Sequence, residues 1–291
     1  MRVIIHAGAH NTDEDRLLAC LFENSDLLAQ HGTHLPDPVQ YRRVIRDIVQ
    51  QAENGALMPQ AREALREVLG DIRAANRLVL SNEGFFGTPR MAVGGGLFYR
   101  AAEQRLDLFR QMFPGDRIEL FLGLRDPAGY LPALLARTNL AGMDDLLRGC
   151  DPDHMRWSEL IGRIRNSHPE IALTVWCNED TPLIWGRILR AMAGLPDGID
   201  LAGEFALLPE IMSPAGAARF RDYMNRNPGL TDAQKGRVVE AFLDKFADHS
   251  ALEEEFDVPA WTAETIATLT TLYDADVQHI RQMQGVRLIL P

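Results

Sequence analysis

Residues 2–15 read Arg-Val-Ile-Ile-His-Ala-Gly-Ala-His-Asn-Thr-Asp-Glu-Asp, and this stretch determines the predicted fold. The β-branched run Arg2–His6 predicts a buried strand that ends at Ala7-Gly8. From Thr12 to about Gln30, apolar residues recur at helical spacing, at positions 17, 18, 21, 22, 27 and 28. A strand, a short glycine-containing loop and a helix are the first half of a βαβ unit.

Three further apolar runs predict the other core strands of a parallel sheet. They are Arg77–Ser81, Arg117–Leu124 and Ile171–Cys177. The apolar character of Arg117–Leu124 on both faces is typical of a central parallel strand. Helices are predicted between and after the strands, at 12–30, 39–53, 59–75, 98–112, 128–139, 157–167 and 183–193. Alternating strands and helices predict an α/β fold, with three α/β/α layers around a central parallel sheet.

The pattern changes after about Leu201. Helices are predicted at 215–225, 232–248 and 262–284, and Val286–Leu290 is a short final strand candidate. We therefore divide the chain into an α/β core at residues 1–200 and a helical C-terminal extension at residues 201–291. The extension is expected to pack on the core and to end in the short strand.

Composition narrows the class of protein. The chain has 291 residues, of which 46% are apolar and 24% are charged, as in ordinary globular proteins. Its net charge of −11 argues against a nucleic-acid partner, because phosphate backbones are bound by clustered Lys and Arg. Runs such as Ile118–Leu124 are too short to cross a bilayer, and no signal-peptide region develops before His6. We therefore expect a cytoplasmic protein.

The cysteines predict neither a disulfide framework nor a zinc site. Cys20, Cys150 and Cys177 are odd in number and widely separated, whereas both kinds of site need closely paired cysteines. Reduced, buried thiols are the expected state.

In open parallel sheets, ligands bind where strands end at the carboxyl edge. That rule selects three loops, Ala7–Asp15, Ser81–Gly96 and Leu124–Ala133. The first loop leads into a helix N-terminus, which is a favourable place for an anion, but the Walker pattern with its Lys-Ser/Thr is absent. Thr12 and Asp15 have the spacing of a capping box, and such a helix start needs no ligand.

Directly after the first strand, His6, Gly8, His10 and Thr12 form a His-x-Gly-x-His-x-Thr pattern. This pattern resembles the phosphosulfate loop of bacterial sulfotransferase-like proteins. Leu78–Glu83 resembles the second strand of that family, which ends in Ser-x-Glu.

Three later stretches are also similar to such proteins: Leu122–Pro127, Ala172–Pro182 and Tyr273–Pro291. The first resembles the family's strand that ends in Arg-Asp/Asn-Pro and presents an arginine to the 3′-phosphate of the donor. The resemblance implies a P-loop fold of the sulfotransferase type. It also implies transfer of a sulfuryl group from 3′-phosphoadenosine 5′-phosphosulfate (PAPS) to a hydroxyl or amine acceptor, with a carbohydrate as the expected class.

The resemblance also assigns site residues. Glu83 is expected to act as the general base on the acceptor, and Arg125 to bind the 3′-phosphate of PAPS or of its product, adenosine 3′,5′-bisphosphate. The residues assigned to the phosphosulfate are Gly8, Ala9, His10, Asn11 and Thr12. The alternatives are a hydrogen-bonding role for Glu83 in the turn before Gly84, and an ion pair of Arg125 with Asp126 or a neighbouring helix.

The chain departs from the family pattern at four positions. Asn11 stands where the family has lysine, Asp13 where it has glycine and Glu14 where it has threonine, while Ala133 stands where a serine is usual. Each lost charge-assisted hydrogen bond costs about 1.5–3 kcal/mol, so two or three losses would weaken donor binding by several orders of magnitude. An alternative function is therefore that of a degenerate relative, which binds a nucleotide, another ligand or a protein partner without sulfuryl transfer.

A third hypothesis is a metal-assisted hydrolase built on His6, His10 and Asp13, with His31 and His34 as nearby additional ligands. His6 and His10 are four residues apart across a strand end rather than on one helix face. For that reason we predict no metal.

Overall fold

The computed structural model describes residues 1–52, 57, 60–252 and 261–291 of the chain. The strands are β1 (Arg2–His6), β2 (Thr33–His34), β3 (Arg77–Ser81), β4 (Val93–Gly94), β5 (Leu97–Phe98), β6 (Arg117–Leu124), β7 (Ala172–Cys177) and β8 (Val286–Ile289). The helices are α1 (Arg16–Glu23), α2 (Ser25–Gln30), α3 (Pro38–Gln51), α4 (Ala61–Leu69), α5 (Ala102–Met112), α6 (Pro127–Ala136), α7 (Met143–Leu147), α8 (Trp157–Ser167), α9 (Thr181–Ala193), α10 (Leu208–Ile211), α11 (Pro214–Arg226), α12 (Asp232–Phe246), α13 (His249–Leu252) and α14 (Ala263–Gln282).

Six parallel strands of the described chain form one sheet in the order β2, β3, β1, β6, β7, β8, and β4 and β5 form a separate antiparallel hairpin. The central strand β1 pairs with β3 on one side and with β6 on the other, and His6 lies opposite both Ser81 and Phe121. The chain leaves β1 towards one edge and later passes from β3 to β6 on the other side. The carboxyl end of β1 is therefore a topological switch point, where such sheets bind ligands.

Alternate residues of β1 face two different layers of helices. Val3 and Ile5 pack in the larger core cluster with residues of α3, α4, α5, α6 and α8. Ile4 packs on the opposite face with residues of α1, α2 and α9. All three side chains are fully buried, as expected for a strand covered on both faces. The fold is therefore α/β with a six-stranded parallel sheet, as predicted, and its layers fit the expected α/β/α arrangement.

The C-terminal ninety residues contribute to both the sheet and its covering layer. β8 extends the sheet by pairing in parallel with β7. Helix α14 packs on α6 and α8, where its Asp276 accepts the N–H groups of Trp157 (2.7 Å) and Ser158 (3.1 Å) at the start of α8. Helices α10, α11 and α12 enclose a smaller apolar cluster of their own, centred on Phe220 and Val239.

The prediction of one helix over 12–30, begun by a Thr12 capping box, is wrong. Glu14 and Asp15 have φ of 49° and 66°, outside the helical region, so α1 cannot begin before Arg16. The Thr12 hydroxyl donates to the Ala9 carbonyl (2.7 Å) and caps nothing. A second break falls at Asn24, whose side-chain amide donates to the carbonyls of Cys20 (2.7 Å) and Ala202 (2.9 Å). Such side-chain hydrogen bonds to the backbone compete with those of the helix.

Two other helix boundaries differ from their predictions for local reasons. The helix predicted from Phe98 begins at Ala102, because Leu97–Phe98 is the second strand of the hairpin. The helix predicted to reach residue 75 ends at Leu69, where Gly70 takes φ 73°. The predicted ends at Glu53 and Pro59 lie outside the described residues. No helix of the described segments is long and apolar enough to span a membrane.

Candidate functional site

The loop after β1 lies at the centre of the carboxyl edge and remains attached to β6. The Ala9 N–H donates to the Gly123 carbonyl (2.9 Å), and the Gly123 N–H donates to the Gly8 carbonyl (2.6 Å). Gly8 has φ 96°, and a Cβ at this position would lie 3.3 Å from both Cα and Cβ of Glu83. Glycine is therefore required at position 8, because the end of β3 packs directly against the loop.

Besides the Ala9 N–H, two more N–H groups of the loop that the family resemblance assigned to an anion have acceptors within the protein. The His10 N–H donates to the Tyr99 hydroxyl (2.9 Å), and the Asn11 N–H donates to Oε2 of Glu83 (3.3 Å). In a phosphate loop, such groups point at the ligand. Here the Glu83 carboxylate takes the place of an external anion at Asn11.

Glu83 is also held by an arginine. Its Oε1 lies 2.6 Å from Nη2 of Arg137, and its Oε2 accepts from Nη1 of the same guanidinium (2.9 Å). This two-point contact is the strong form of an Arg–carboxylate pair, although both side chains are partly exposed. The predicted base therefore has three donors on its two oxygens, which agrees with the alternative of a hydrogen-bonding carboxylate.

His10 points into the interior of the protein. Its Nδ1 lies 2.6 Å from the Tyr99 hydroxyl, which in turn lies 2.8 Å from the Tyr130 hydroxyl. All three residues are buried. Burial lowers the pKa of His10 to about 4, so the imidazole is neutral near pH 7. Sequence reasoning missed both tyrosines, and the available signal was the glycine run 94–96, which turns the hairpin that ends at Tyr99.

His6 and Asp13 form a second buried polar pair below the loop. His6 Nδ1 lies 2.8 Å from the Ser81 hydroxyl, and its Nε2 lies 3.9 Å from Oδ1 of Asp13. Burial lowers the pKa of His6 and raises that of Asp13, because each charged form is desolvated. Asp13 also accepts the N–H of Leu17 (3.3 Å), which helps to begin α1. The carboxyl group at position 13 thus faces the interior.

The other two loop carboxylates lie at the surface. Asp15 forms a two-point ion pair with Arg42 of α3, with nitrogen–oxygen distances of 2.5 and 2.7 Å. Glu14 is exposed.

Arg125 directly follows β6 and contacts the loop. Its Nη1 donates to the Asn11 carbonyl (2.8 Å). It lines a cleft of about 460 Å³, on the side of the loop that faces α9 and α14. Apart from Asp13, whose carboxyl group faces the interior, the charged residues of the described lining are two arginines and three acidic residues: Arg16, Arg125, Asp126, Glu179 and Glu210. An acidic lining disfavours a ligand with two phosphates.

A larger cleft of about 700 Å³ lies on the other side of the loop, between α3 and the segment after β3. His10, Asn82 and Glu83 form part of its wall. Its described charged residues have the opposite balance, with one carboxylate and four guanidinium groups: Glu83, Arg42, Arg43, Arg46 and Arg105. We call this site the arginine cleft.

The described residues contain no group of three or more His, Cys, Asp or Glu side chains placed to bind a metal ion. The side chains proposed for the hydrolase have separate partners, since His6 contacts Ser81 while His10 contacts Tyr99. His34, offered as a further ligand, instead lies 2.8 Å from the Leu69 carbonyl.

No protein-family model, no curated protein and no solved structure matches the chain. Its functional assignment therefore depends on the geometry described above.

Proposed function

We propose that this protein is a non-catalytic relative of P-loop sulfotransferases, which binds a small ligand without transferring a sulfuryl group. The single observation behind the proposal is the position of the Glu83 carboxylate. It accepts the Asn11 N–H and pairs with Arg137, so a residue of the protein fills a position that a donor phosphosulfate would need. A ligand anion would have to displace Glu83 or share the loop with it.

The electrostatics around the loop support the same proposal. A phosphate on the Arg125 side would enter a cleft lined by Asp126, Glu179 and Glu210, and no lysine stands in the loop to offset them. Each pair of unit charges 4 Å apart repels by about 1 kcal/mol in water and by about 4 kcal/mol at an effective dielectric of 20. Arg125 and Arg16 offset part of this repulsion, and Arg16 is already paired with Glu210 (2.7 Å).

Sulfuryl transfer from PAPS to a carbohydrate, or to another hydroxyl or amine acceptor, is the second candidate. The contact of Arg125 with the loop favours it, because the family resemblance expects a 3′-phosphate arginine at this strand end. An acceptor would enter from the arginine cleft. Glu83 would then leave its ion pair with Arg137 and take the proton of the acceptor hydroxyl.

Calorimetry with adenosine 3′,5′-bisphosphate separates the two candidates. We expect no heat of binding at millimolar nucleotide. Micromolar binding that is lost in Arg125→Ala, but kept in the control Arg226→Ala on the distant helix α11, would overturn the proposal and establish a donor site.

A rescue series then tests why the loop fails. Asn11→Lys with Asp13→Gly restores the family residues, but leaves the Glu83 carboxylate on the loop. We expect nucleotide binding only when Glu83→Gln is added, since the amide removes the competing negative charge. Full binding by the first double variant would show that the substitutions at positions 11 and 13 alone had closed the site.

A further inference from the structure

The arginine cleft concentrates positive charge in an acidic protein. The chain carries a net charge of −11, yet the described lining of this cleft has four guanidinium groups and one carboxylate. That carboxylate, Glu83, is already neutralised by Arg137, which is not part of the lining. A positive site in a negative protein is suited to an anionic ligand, because the local field raises the concentration of anions at its mouth.

Two of the four arginines have carboxylate partners, and two have none among the described residues. Arg42 is paired with Asp15 (2.5 Å) and Arg46 with Asp47 (3.4 Å). Arg43 is exposed. Arg105 is half-buried in the first turn of α5, and its Nε has no hydrogen-bond partner within the described chain.

Arg105 is the informative member of the set. Burial lowers the pKa of its guanidinium, and no carboxylate opposes that effect. Burial of a charge without a counter-ion is unfavourable, so charged groups that are withdrawn from water, even in part, are normally paired or bound to an anion. The position of Arg105 in the wall of an open cleft indicates that the missing partner arrives with a ligand.

The lining of the cleft also includes a set of apolar side chains. Ile45 and Phe85 are buried in its wall, and Val49 lies partly exposed beside them. Val39 and Met91, at 77% and 46% exposure, are among the most exposed large apolar residues of the described chain. Ligand sites typically combine such apolar walls with a few polar groups that orient the ligand, and 700 Å³ is within their usual range of volume.

We propose that the arginine cleft binds an organic anion with an apolar body, whose acidic group meets Arg105 and Arg43 while its apolar part covers Val39, Val49 and Met91. This inference rests on the proposed function, because it names the class of small ligand that a non-catalytic relative would bind.

The test compares two fluorescent probes that differ in one group. 8-Anilinonaphthalene-1-sulfonate carries a sulfonate on an aromatic body, and N-phenyl-1-naphthylamine is the same body without the sulfonate. We expect the anionic probe to bind at least about tenfold more tightly, since its sulfonate gains a charge-assisted contact with a guanidinium. Equal affinity of the two probes would overturn the proposal.

Variants locate the site. Arg105→Gln and the exposed Arg43→Gln should each weaken the anionic probe by about tenfold and leave the neutral probe unchanged. Arg226→Gln on α11 is the matched control, because it removes the same charge from a side chain that is 75% exposed. Loss of the anionic probe in Arg226→Gln, or no loss in both cleft variants, would overturn the proposal. Arg43→Gln keeps the test valid if Arg105→Gln fails to fold.

Different results would refute the proposed function and the proposed ligand class. Binding of adenosine 3′,5′-bisphosphate through Arg125 would refute the proposed function, whatever the probes do. Failure of the sulfonate probe at Arg105 and Arg43, with no nucleotide binding, would refute only the ligand class.

Discussion

The Tyr99 hydroxyl connects the β1 loop to the buried core by hydrogen bonds, and Tyr99→Phe tests that role. The hydroxyl accepts the His10 N–H (2.9 Å), lies 2.6 Å from His10 Nδ1 and lies 2.8 Å from the Tyr130 hydroxyl. Phenylalanine keeps the ring, which stacks against the His10 ring with centroids 5.7 Å apart. The substitution therefore removes hydrogen bonds while preserving most of the packing.

The size of the loss follows from what is left unsatisfied. Without the Tyr99 oxygen, the His10 N–H, the His10 Nδ1 atom and the Tyr130 O–H are buried groups without their described partner. Each such group costs about 1–3 kcal/mol, so we expect a loss of at least about 3 kcal/mol in the free energy of unfolding. Tyr130→Phe removes one bond and leaves the contacts of Tyr99 with His10 in place, so it should cost only about 1 kcal/mol.

Urea denaturation of both single variants and of the double variant measures these values, provided that the m-value stays unchanged. The double-mutant cycle should be non-additive, since Tyr130→Phe has little left to remove once Tyr99 is phenylalanine. The idea that this hydroxyl holds the loop would be refuted if Tyr99→Phe lowered the free energy of unfolding no more than Tyr130→Phe does. Strict additivity of the two losses would also refute it.

Three further variants test buried polar groups elsewhere. Burial lowers the pKa of His10 from 6.5 to about 4. Its contribution of about 3 kcal/mol to the free energy of unfolding is therefore present above pH 6.5 and is lost as the pH falls towards 4. The difference in unfolding free energy between wild type and His10→Gln should shrink over that range, and a constant difference would contradict the assignment. Asp276→Ala should lower the free energy of unfolding by about 2–4 kcal/mol in urea denaturation, because it removes the acceptor of the N–H groups of Trp157 and its neighbour. A loss below about 1 kcal/mol would show that Asp276 does not stabilise the packing of α14 on α8. Glu204→Gln should cost about 3–5 kcal/mol, since it removes the buried carboxylate that pairs with both Arg190 (2.7 Å) and Lys235 (2.8 Å) and leaves Lys235 only its contact with Asp200 (2.6 Å). Adding Lys235→Met should recover part of that loss, and no recovery would contradict the pairing of Glu204 with Lys235.

The strands were predictable because their signal is local. Arg77–Ser81 and Arg117–Leu124 have the predicted bounds, and the C-terminal strand differs from its prediction by one residue. Runs of apolar residues on both faces are characteristic of buried parallel strands, whatever their neighbours are. The two-residue strand β2 and the hairpin of β4 and β5 were missed, since segments this short carry no periodicity.

The start of α1 shows the limit of local rules. Thr12 and Asp15 have capping-box spacing, but a residue can cap a helix only if the backbone beyond it is helical. The loop instead follows β6 as far as Ala9, and then turns through left-handed conformations at Asn11, Glu14 and Asp15. Pairing with β6 is a long-range constraint, so it was not visible in the spacing of the loop residues.

By itself, the sequence determined that this protein is an α/β protein with a parallel sheet, and that the loop after its first strand lies at the ligand-binding edge. It also placed Glu83 and Arg125 in loops at the same carboxyl edge of the sheet. Only the tertiary structure decided what they do there, because their partners are distant in the chain: Arg137 for Glu83, and the Asn11 carbonyl for Arg125. Hydrophobic periodicity reports which face of a segment is buried. Which charged group a carboxylate contacts depends on how separate segments are brought together. The tertiary structure therefore decided that the Glu83 carboxylate contacts Arg137 and holds the loop.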